Sequence, residues 1–478
     1  MKKKLTIENI LCVFVILCPI FDIMSFIFRN TFDTKISIST FLRPIIPVIV
    51  SLYIFIKSNK KEKKFFIIVG LIYVGYALAH LAVTKTLLTG ASYGGMTKEA
   101  QYILNFTFLA IYLVIYLYTF IYKPINSKKT VNIDEEKNSA DILKLRKSIV
   151  IMCFIYVASI IIAIITKTSS YTYIETSTGY KGWIESGNSL SAILLLSSII
   201  TLCEIKENKS KFAIVTFILT VCYLAFVIGT RTGLLGTFLI ILAYIILEII
   251  FSKNKKAIIV GAIVLAILAS LVGALGSTTI KRRKQMNTSK YTIIDEKTGE
   301  VGTMTGDMLR IKNKILDGTL EEGYMSEAQK QSVINLYNYS QKHNFEGNDT
   351  RRQQLVYNVF LVKNQKNVLA IIFGNGYETN FREMVMENEL ASMLLNFGIV
   401  GFCLYVLPLF VILIYSVYIA IKNRKKLNTS YVMYQMGLSL ALVLSWMSGY
   451  VLFATSSMIV IVVLCVQLLN ETKKVKET

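Results

Sequence analysis

The stretch REMVMENELASMLLNFGIVGF, residues 382–402, places Glu387, Asn388 and Glu389 directly before a long apolar run. Two chemistries suit that arrangement. In the first, the acids cap a membrane helix, because negative side chains in a first helical turn gain roughly 0.3–1 kcal/mol each from the helix dipole. In the second, a carboxylate held at headgroup level takes a proton from a hydroxyl as a general base. Arg231, in VIGTRTGLLG, falls in a tight turn between two apolar stretches. Its guanidinium either snorkels to the interface or reaches a phosphate with its bidentate fork, with Gly229, Gly233 and Gly236 allowing close backbone packing.

More cations lie in a polar insert from Ser277 to Val368: Lys281, Arg282, Arg283, Lys284, Arg310, Arg351 and Arg352. Most of them read as solvated surface charge. Arg351 and Arg352 stand out because NDTRRQQLVYNVF begins a predicted helix leading back to the membrane, toward Arg231. Each guanidinium about 4 Å from a diphosphate charge contributes on the order of 4 kcal/mol at an effective dielectric near 20, before desolvation. Two or three would hold such a group without a metal. No metal or other cofactor is expected, since the two histidines, His80 and His343, stand far apart in the sequence and a lone His is more often structural than a ligand. The seven cysteines lie within or beside apolar stretches and show no Cys-x-x-Cys spacing. Gly374-Asn375-Gly376 lacks the strand-turn-helix context of a nucleotide site and reads as a turn.

The elements that must position these residues are membrane helices. Hydrophobic residues make up 54% of the 478 positions, and apolar stretches of bilayer-spanning length recur along the chain. The predicted class is an all-α polytopic membrane protein with about twelve spans, near 10–28, 36–56, 65–83, 100–122, 148–165, 187–203, 212–228, 232–251, 257–276, 389–421, 430–448 and 450–468. The first follows Met1-Lys2-Lys3-Lys4 and is too long for a signal h-region, so it reads as an uncleaved helix. The run from Leu390 to Ile421 would be about 48 Å long as one helix, with Pro408 available for a kink.

A net charge of +22 raises the question of nucleic acid, but the lysines sit in short clusters between spans, as topology signals do. Lys57–Lys64, Lys123–Lys147, Glu204–Lys211, Lys253–Lys256, Lys422–Lys426 and both tails are the basic segments. The positive-inside rule then makes both termini cytoplasmic and the insert extracytoplasmic. The expected organisation is an N-terminal bundle over 1–276 with about nine helices, a mostly helical loop domain over 277–388, and about three helices over 389–478. Within the insert, Leu309, Ile311, Ile315, Leu316, Tyr324, Val333, Leu336, Tyr337 and Tyr339 recur at helical spacing, so it is expected to be ordered.

In this order and sidedness the chain resembles the O-antigen ligase and polymerase superfamily, the Wzy and WaaL type of membrane glycosyltransferase. The family's Gly-rich turn, His-Asn pair and Gly-x-x-Gly are echoed by Gly374-Asn375-Gly376, Glu387-Asn388 and Gly398-Ile399-Val400-Gly401, with Glu387 at the His position. Arg231 matches the family's outside Arg before a glycine-rich helix. Arg351 resembles the Arg preceding the Gly turn, with Arg352 its competitor.

The resemblance implies transfer of an undecaprenyl-diphosphate-linked glycan to an acceptor sugar hydroxyl at the outer face of the cell membrane, inverting and metal-independent. It gives Glu387 the role of base and makes Arg231 and Arg351 catalytic partners at the diphosphate. Asn388 and Glu389 would then orient the base or the sugar, and with Arg352 and the insert's Arg310 they are the candidate substrate-binding residues. The implied partners are the lipid-linked donor, an acceptor glycan, the bilayer and a chain-length regulator. A Lys- and Ile-rich composition of the AT-rich bacterial kind favours a surface-polysaccharide polymerase over a ligase. A flippase or transporter is the rival from another class, with Asp22 and His80 as its intramembrane polar groups.

Overall fold

The computed structural model describes residues 6–32, 38–123, 131–174, 176–252, 254–288, 293–295, 297, 299, 301–347 and 349–477. Lys2, Lys3, Lys4, Lys253 and the side chain of Lys284 lie outside the described residues. Among the described residues, eight helices are long and apolar enough to cross a bilayer: Ile7–Phe32, Lys60–Leu87, Met96–Tyr122, Ser139–Ile165, Gly187–Asn208, Arg231–Ser252, Lys255–Arg283 and Thr455–Glu477. A ninth arises if Gly398–Tyr405 and Leu407–Lys422, bent by 49° at their junction, count as one span. The expected twelve spans are therefore eight or nine by this measure. The three other expected positions are also helical, as Ile38–Lys57, Thr429–Met447 and the shorter Lys211–Cys222 with its π continuation to Val227.

Gly187–Asn208 and Thr455–Glu477 are the centre of the bundle. Both are buried on nearly every side, as a helix that is apolar all round must be when other helices surround it. The outer helix Lys255–Leu275 instead exposes Ile259, Val260, Ile263 and Ile267, which suits a lipid-facing surface. Within the bundle, Asp22 takes hydrogen bonds from Arg43 at 2.5 Å, Ser456 at 2.7 Å and the Tyr156 hydroxyl. Arg29, seven residues further along the same helix, pairs with Glu185 at 2.9 Å.

Two departures from the expected elements matter for the site. Among the described residues, Ser170–Tyr173 and Thr178–Gly182 form an antiparallel hairpin, so the fold is not wholly α-helical. The run expected as one helix from 389 is three: Glu389–Leu395, Gly398–Tyr405 and Leu407–Lys422. Pro408 stands at the start of the last, where a missing N–H costs nothing. The earlier break is set by Gly398, at φ +74°, where an added Cβ would lie 2.4 Å from the Gly374 nitrogen. Backbone bonds from Asn375 to Leu395 at 3.2 Å and from Gly376 to Asn396 at 2.9 Å join the glycine turn to this break.

The insert forms helices Gly306–Leu316, Glu327–Lys342 and Thr350–Gln365 around a second core of Met304, Met308, Leu309, Met325, Val333, Leu336, Tyr357, Leu361, Phe381 and Met384. Asp295 braces it, accepting from Lys312 at 2.8 Å, Asn313 at 3.0 Å and the Lys297 backbone at 3.0 Å.

Candidate active site

Helix Thr350–Gln365 presents Arg351, Gln354 and Asn358 along one side, at the i, i+3, i+7 spacing of a helix face. All three meet the segment that carries Glu387. Asn358 donates to the Met384 carbonyl at 3.0 Å, and Gln354 donates to that of Glu383 at 3.2 Å while accepting from the Glu387 backbone at 3.2 Å. Arg351 Nε then donates to Glu387 Oε2 at 2.8 Å. Its other nitrogens donate to the Met447 and Ser448 carbonyls at 2.6 and 3.3 Å, at the carboxyl end of helix Thr429–Met447. Close passage of the Glu387 backbone requires Gly449, where φ is +69° and a Cβ would stand 2.7 Å from the Glu387 carbonyl oxygen.

The Arg351 and Glu387 side chains are 48% and 42% exposed. An ion pair that open to water is worth only about 0–1 kcal/mol, so an incoming anion can exchange for the carboxylate at Arg351 with little penalty.

Arg231 is the first residue of helix Arg231–Leu247, whose cap is Thr230, accepting from Gly233 N–H at 3.1 Å. The turn before it follows the π-helical end Tyr223–Val227. Thr278 donates to the Phe226 carbonyl at 3.0 Å and Thr279 to that of Thr230 at 3.3 Å, pinning helix Thr278–Thr288 onto this turn. Arg282 is thereby stacked on Tyr173 of the hairpin, its guanidinium carbon 3.3 Å from the ring centroid. Arg231 and Arg351 are both electrostatic neighbours of Arg282. Three guanidiniums from three separate elements thus share one region with Glu387.

Other sequence-predicted residues lie elsewhere or do other work. Arg352 pairs with Asp349 at 3.3 Å and lies over Phe345, and Arg310 pairs with Asp307 at 3.0 Å on an exposed turn. Asn388 caps helix Glu389–Leu395, its side chain accepting from Ala391 N–H at 3.2 Å. Glu389 is fully buried, and its carboxylate accepts from the backbone N–H groups of Val451, Leu452 and Phe453 at 2.8, 2.8 and 2.9 Å. Asn388 therefore starts the helix that follows Glu387, and Glu389, with no exposed surface, holds the facing loop rather than a substrate. Arg282 was missed as a distinct residue because it sits in a run of four cations. The only sequence signal for its stacking partner was the Tyr- and Thr-rich stretch around 170–182. Among the described residues, no group of three or more His, Cys, Asp or Glu converges as a metal-ligand set.

His80 is also committed. Its ring nitrogens face the Phe373 carbonyl at 2.5 Å and Glu99 Oε1 at 2.8 Å, and Glu99 accepts from the Tyr377 and Glu378 backbone N–H groups at 3.0 and 2.8 Å. This buried cluster fixes the segment that follows the glycine turn.

A bundle of apolar helices with a second, helical core beside a cluster of arginines and one carboxylate defines a multi-pass membrane protein. The family model described as O-antigen ligase like membrane protein matches residues 4–475, and the chain belongs to that family. No curated protein sequence matches it.

Proposed function

We propose that the protein is a surface-polysaccharide polymerase acting at the outer face of the cell membrane, with both termini in the cytoplasm and residues 277–388 outside. The donor is a glycan on undecaprenyl diphosphate and the acceptor is a sugar hydroxyl of a second glycan. The observation that carries the reading is the contact of Glu387 with Arg351, in the same region as Arg231 and Arg282. Glu387 takes the proton from the acceptor hydroxyl as its oxygen attacks the anomeric carbon. The bond from that carbon to the phosphate oxygen breaks on the opposite side, so configuration inverts. The lipid diphosphate leaves with the bonding pair, and Arg351, Arg231 and Arg282 compensate its developing charge, which assigns no step to a metal.

A ligase would use the same donor chemistry with another acceptor. Transport finds less support, since Asp22 and His80 are both engaged in hydrogen bonds between helices.

Replacing Glu387 with Gln tests the base. Loss of a general base costs roughly 100- to 10,000-fold in rate, so a deletion strain complemented with Glu387→Gln should accumulate lipid-linked single repeats while the variant inserts normally. Surface chains of normal length from that strain would refute the assignment. Long chains left unattached in the deletion strain itself would point to ligation.

A further inference from the structure

A second polar site lies beside the first. Residues Lys98, Gln101, Tyr102 and Asn105 fall at i, i+3, i+4 and i+7 in the first turns of helix Met96–Leu117, on one face. With Tyr93 and Glu378 they line a cavity of about 260 Å³. Sites for drug-sized ligands run from roughly 300 to 1,000 Å³, so this one suits a single small ring. Its composition is unusual for the end of an apolar helix: an ammonium, two amides, two phenols and a carboxylate.

Glu378 is 1% exposed, and neither carboxylate oxygen has a hydrogen-bond partner. Lys98 Nζ stands 3.9 Å away, beyond hydrogen-bond length, and that ammonium also lies over the Tyr93 ring at 4.5 Å. A buried, unsatisfied carboxylate costs stability, yet this one is held firmly. Glu99 fixes its backbone N–H, and its carbonyl accepts from Gly94 N–H at 3.3 Å. Room for the side chain depends on Gly94, where a Cβ would lie 1.7 Å from Glu378 Oε2. Tyr102 is braced by Tyr377 at 4.4 Å and Phe453 at 5.6 Å.

The cavity adjoins the arginine site through Tyr450, which follows Gly449 and has Glu387, Glu389 and Tyr93 as electrostatic neighbours. Tyr102 in turn has Glu378, Tyr450 and Tyr93. The guanidiniums provide for a diphosphate, so the adjoining cavity is available to the other reactant. Its groups match a sugar ring: tyrosine faces for the C–H side, and acceptors and donors for hydroxyls.

We propose that this cavity binds a sugar ring of the acceptor glycan, through Glu378, Asn105 and Gln101 to its hydroxyls and Tyr93 and Tyr102 to its apolar face. The proposal rests on the glycan-transfer reading above. Its test uses the full-length protein in lipid nanodiscs and two probes. One is an oligosaccharide released by partial acid hydrolysis from the strain's own surface polysaccharide, which has no diphosphate. The other is undecaprenyl diphosphate, which has no sugar.

Saturation-transfer NMR should show the oligosaccharide bound by the wild-type protein. Glu378→Gln and, separately, Asn105→Leu on the exposed rim should weaken it about tenfold, the loss of one good hydrogen bond, leaving undecaprenyl diphosphate binding unchanged. Arg351→Ala should do the reverse. In the transfer assay the oligosaccharide should be extended, with both cavity variants raising the concentration needed for half-maximal extension. Absence of oligosaccharide binding to the wild type, equal binding by the cavity variants, or equal loss of both probes overturns the proposal. So does an oligosaccharide that competes with the donor without being extended. An active Glu387→Gln with Glu378-dependent oligosaccharide binding would remove the base assignment and leave the cavity standing.

Discussion

Arg351 divides one planar guanidinium between a carboxylate and two carbonyls at a helix end, a task its fixed fork allows and a point charge does not. Arg351→Lys should therefore lower polymerisation by at least about tenfold, the loss of one charge-assisted bond, in protein that elutes normally on size exclusion. Arg352→Ala should leave activity within about twofold, because that side chain is an exposed partner of Asp349 and surface changes of this kind stay within about 0.5 kcal/mol. The opposite ranking, measured as chain length and rate in the same membranes, would reverse the choice between the two neighbours. Sequence spacing singled out Glu387, Arg231 and this pair, but only helix phase decides which of two adjacent residues faces Glu387. Arg282 was hidden for a related reason: its importance comes from Thr278 and Thr279 pinning its helix to a turn about fifty positions earlier, a contact with no local signature.

At the level of elements, the insert's helices were legible because its apolar residues keep a helical period, whereas the break of the 389–421 run was not. Its cause is a backbone crossing between Gly374 and Gly398, which hydropathy does not register. The hairpin at 170–182 escaped notice because it is short and depends on packing against the Ile228–Gly229 turn. The insert also carries its own acid sensitivity. Burial alone pushes the Asp295 carboxyl up, but the Lys312 ammonium, the Asn313 amide and the Lys297 N–H outweigh it and hold the group at about 2, below its ordinary 3.8. A depressed folded value means the stabilisation is complete above the unfolded pKa and drains away as pH falls from about 4 toward 2. Limited pepsin digestion across that window should show the insert opening, and Asp295→Asn should open it already at higher pH. An unchanged profile in the variant would assign the acid sensitivity to other groups.

Across the whole molecule, composition sufficed for the membrane class, since so high an apolar fraction arranged in spanning lengths has no soluble solution. The number of crossings was less legible, because polar side chains within a buried helix and short apolar helices blur the hydropathy signal. Stability of the site depends on Glu389, which satisfies three backbone N–H groups, two of them buried and that of Phe453 partly so, in the loop between Thr429–Met447 and Thr455–Glu477. Glu389→Ala would orphan all three, at about 1–3 kcal/mol for each buried donor. A clear fall in melting temperature in detergent should accompany loss of activity. A variant as stable as the parent would show that water replaces the carboxylate there.

The two buried carboxylates Glu99 and Glu389 fasten the stretch from Tyr377 to Glu389 at its two ends, with Glu378 near one anchor and Glu387 near the other. A segment tied down twice behaves as a gauge. Under the proposed reaction it would set how far the Glu387 carboxylate stands from the pocket assigned to the incoming ring, and thereby which position on that ring is glycosylated. Linkage in the finished polymer would then be written in the length of this stretch, and lengthening it by one residue would shift the bond to a neighbouring carbon.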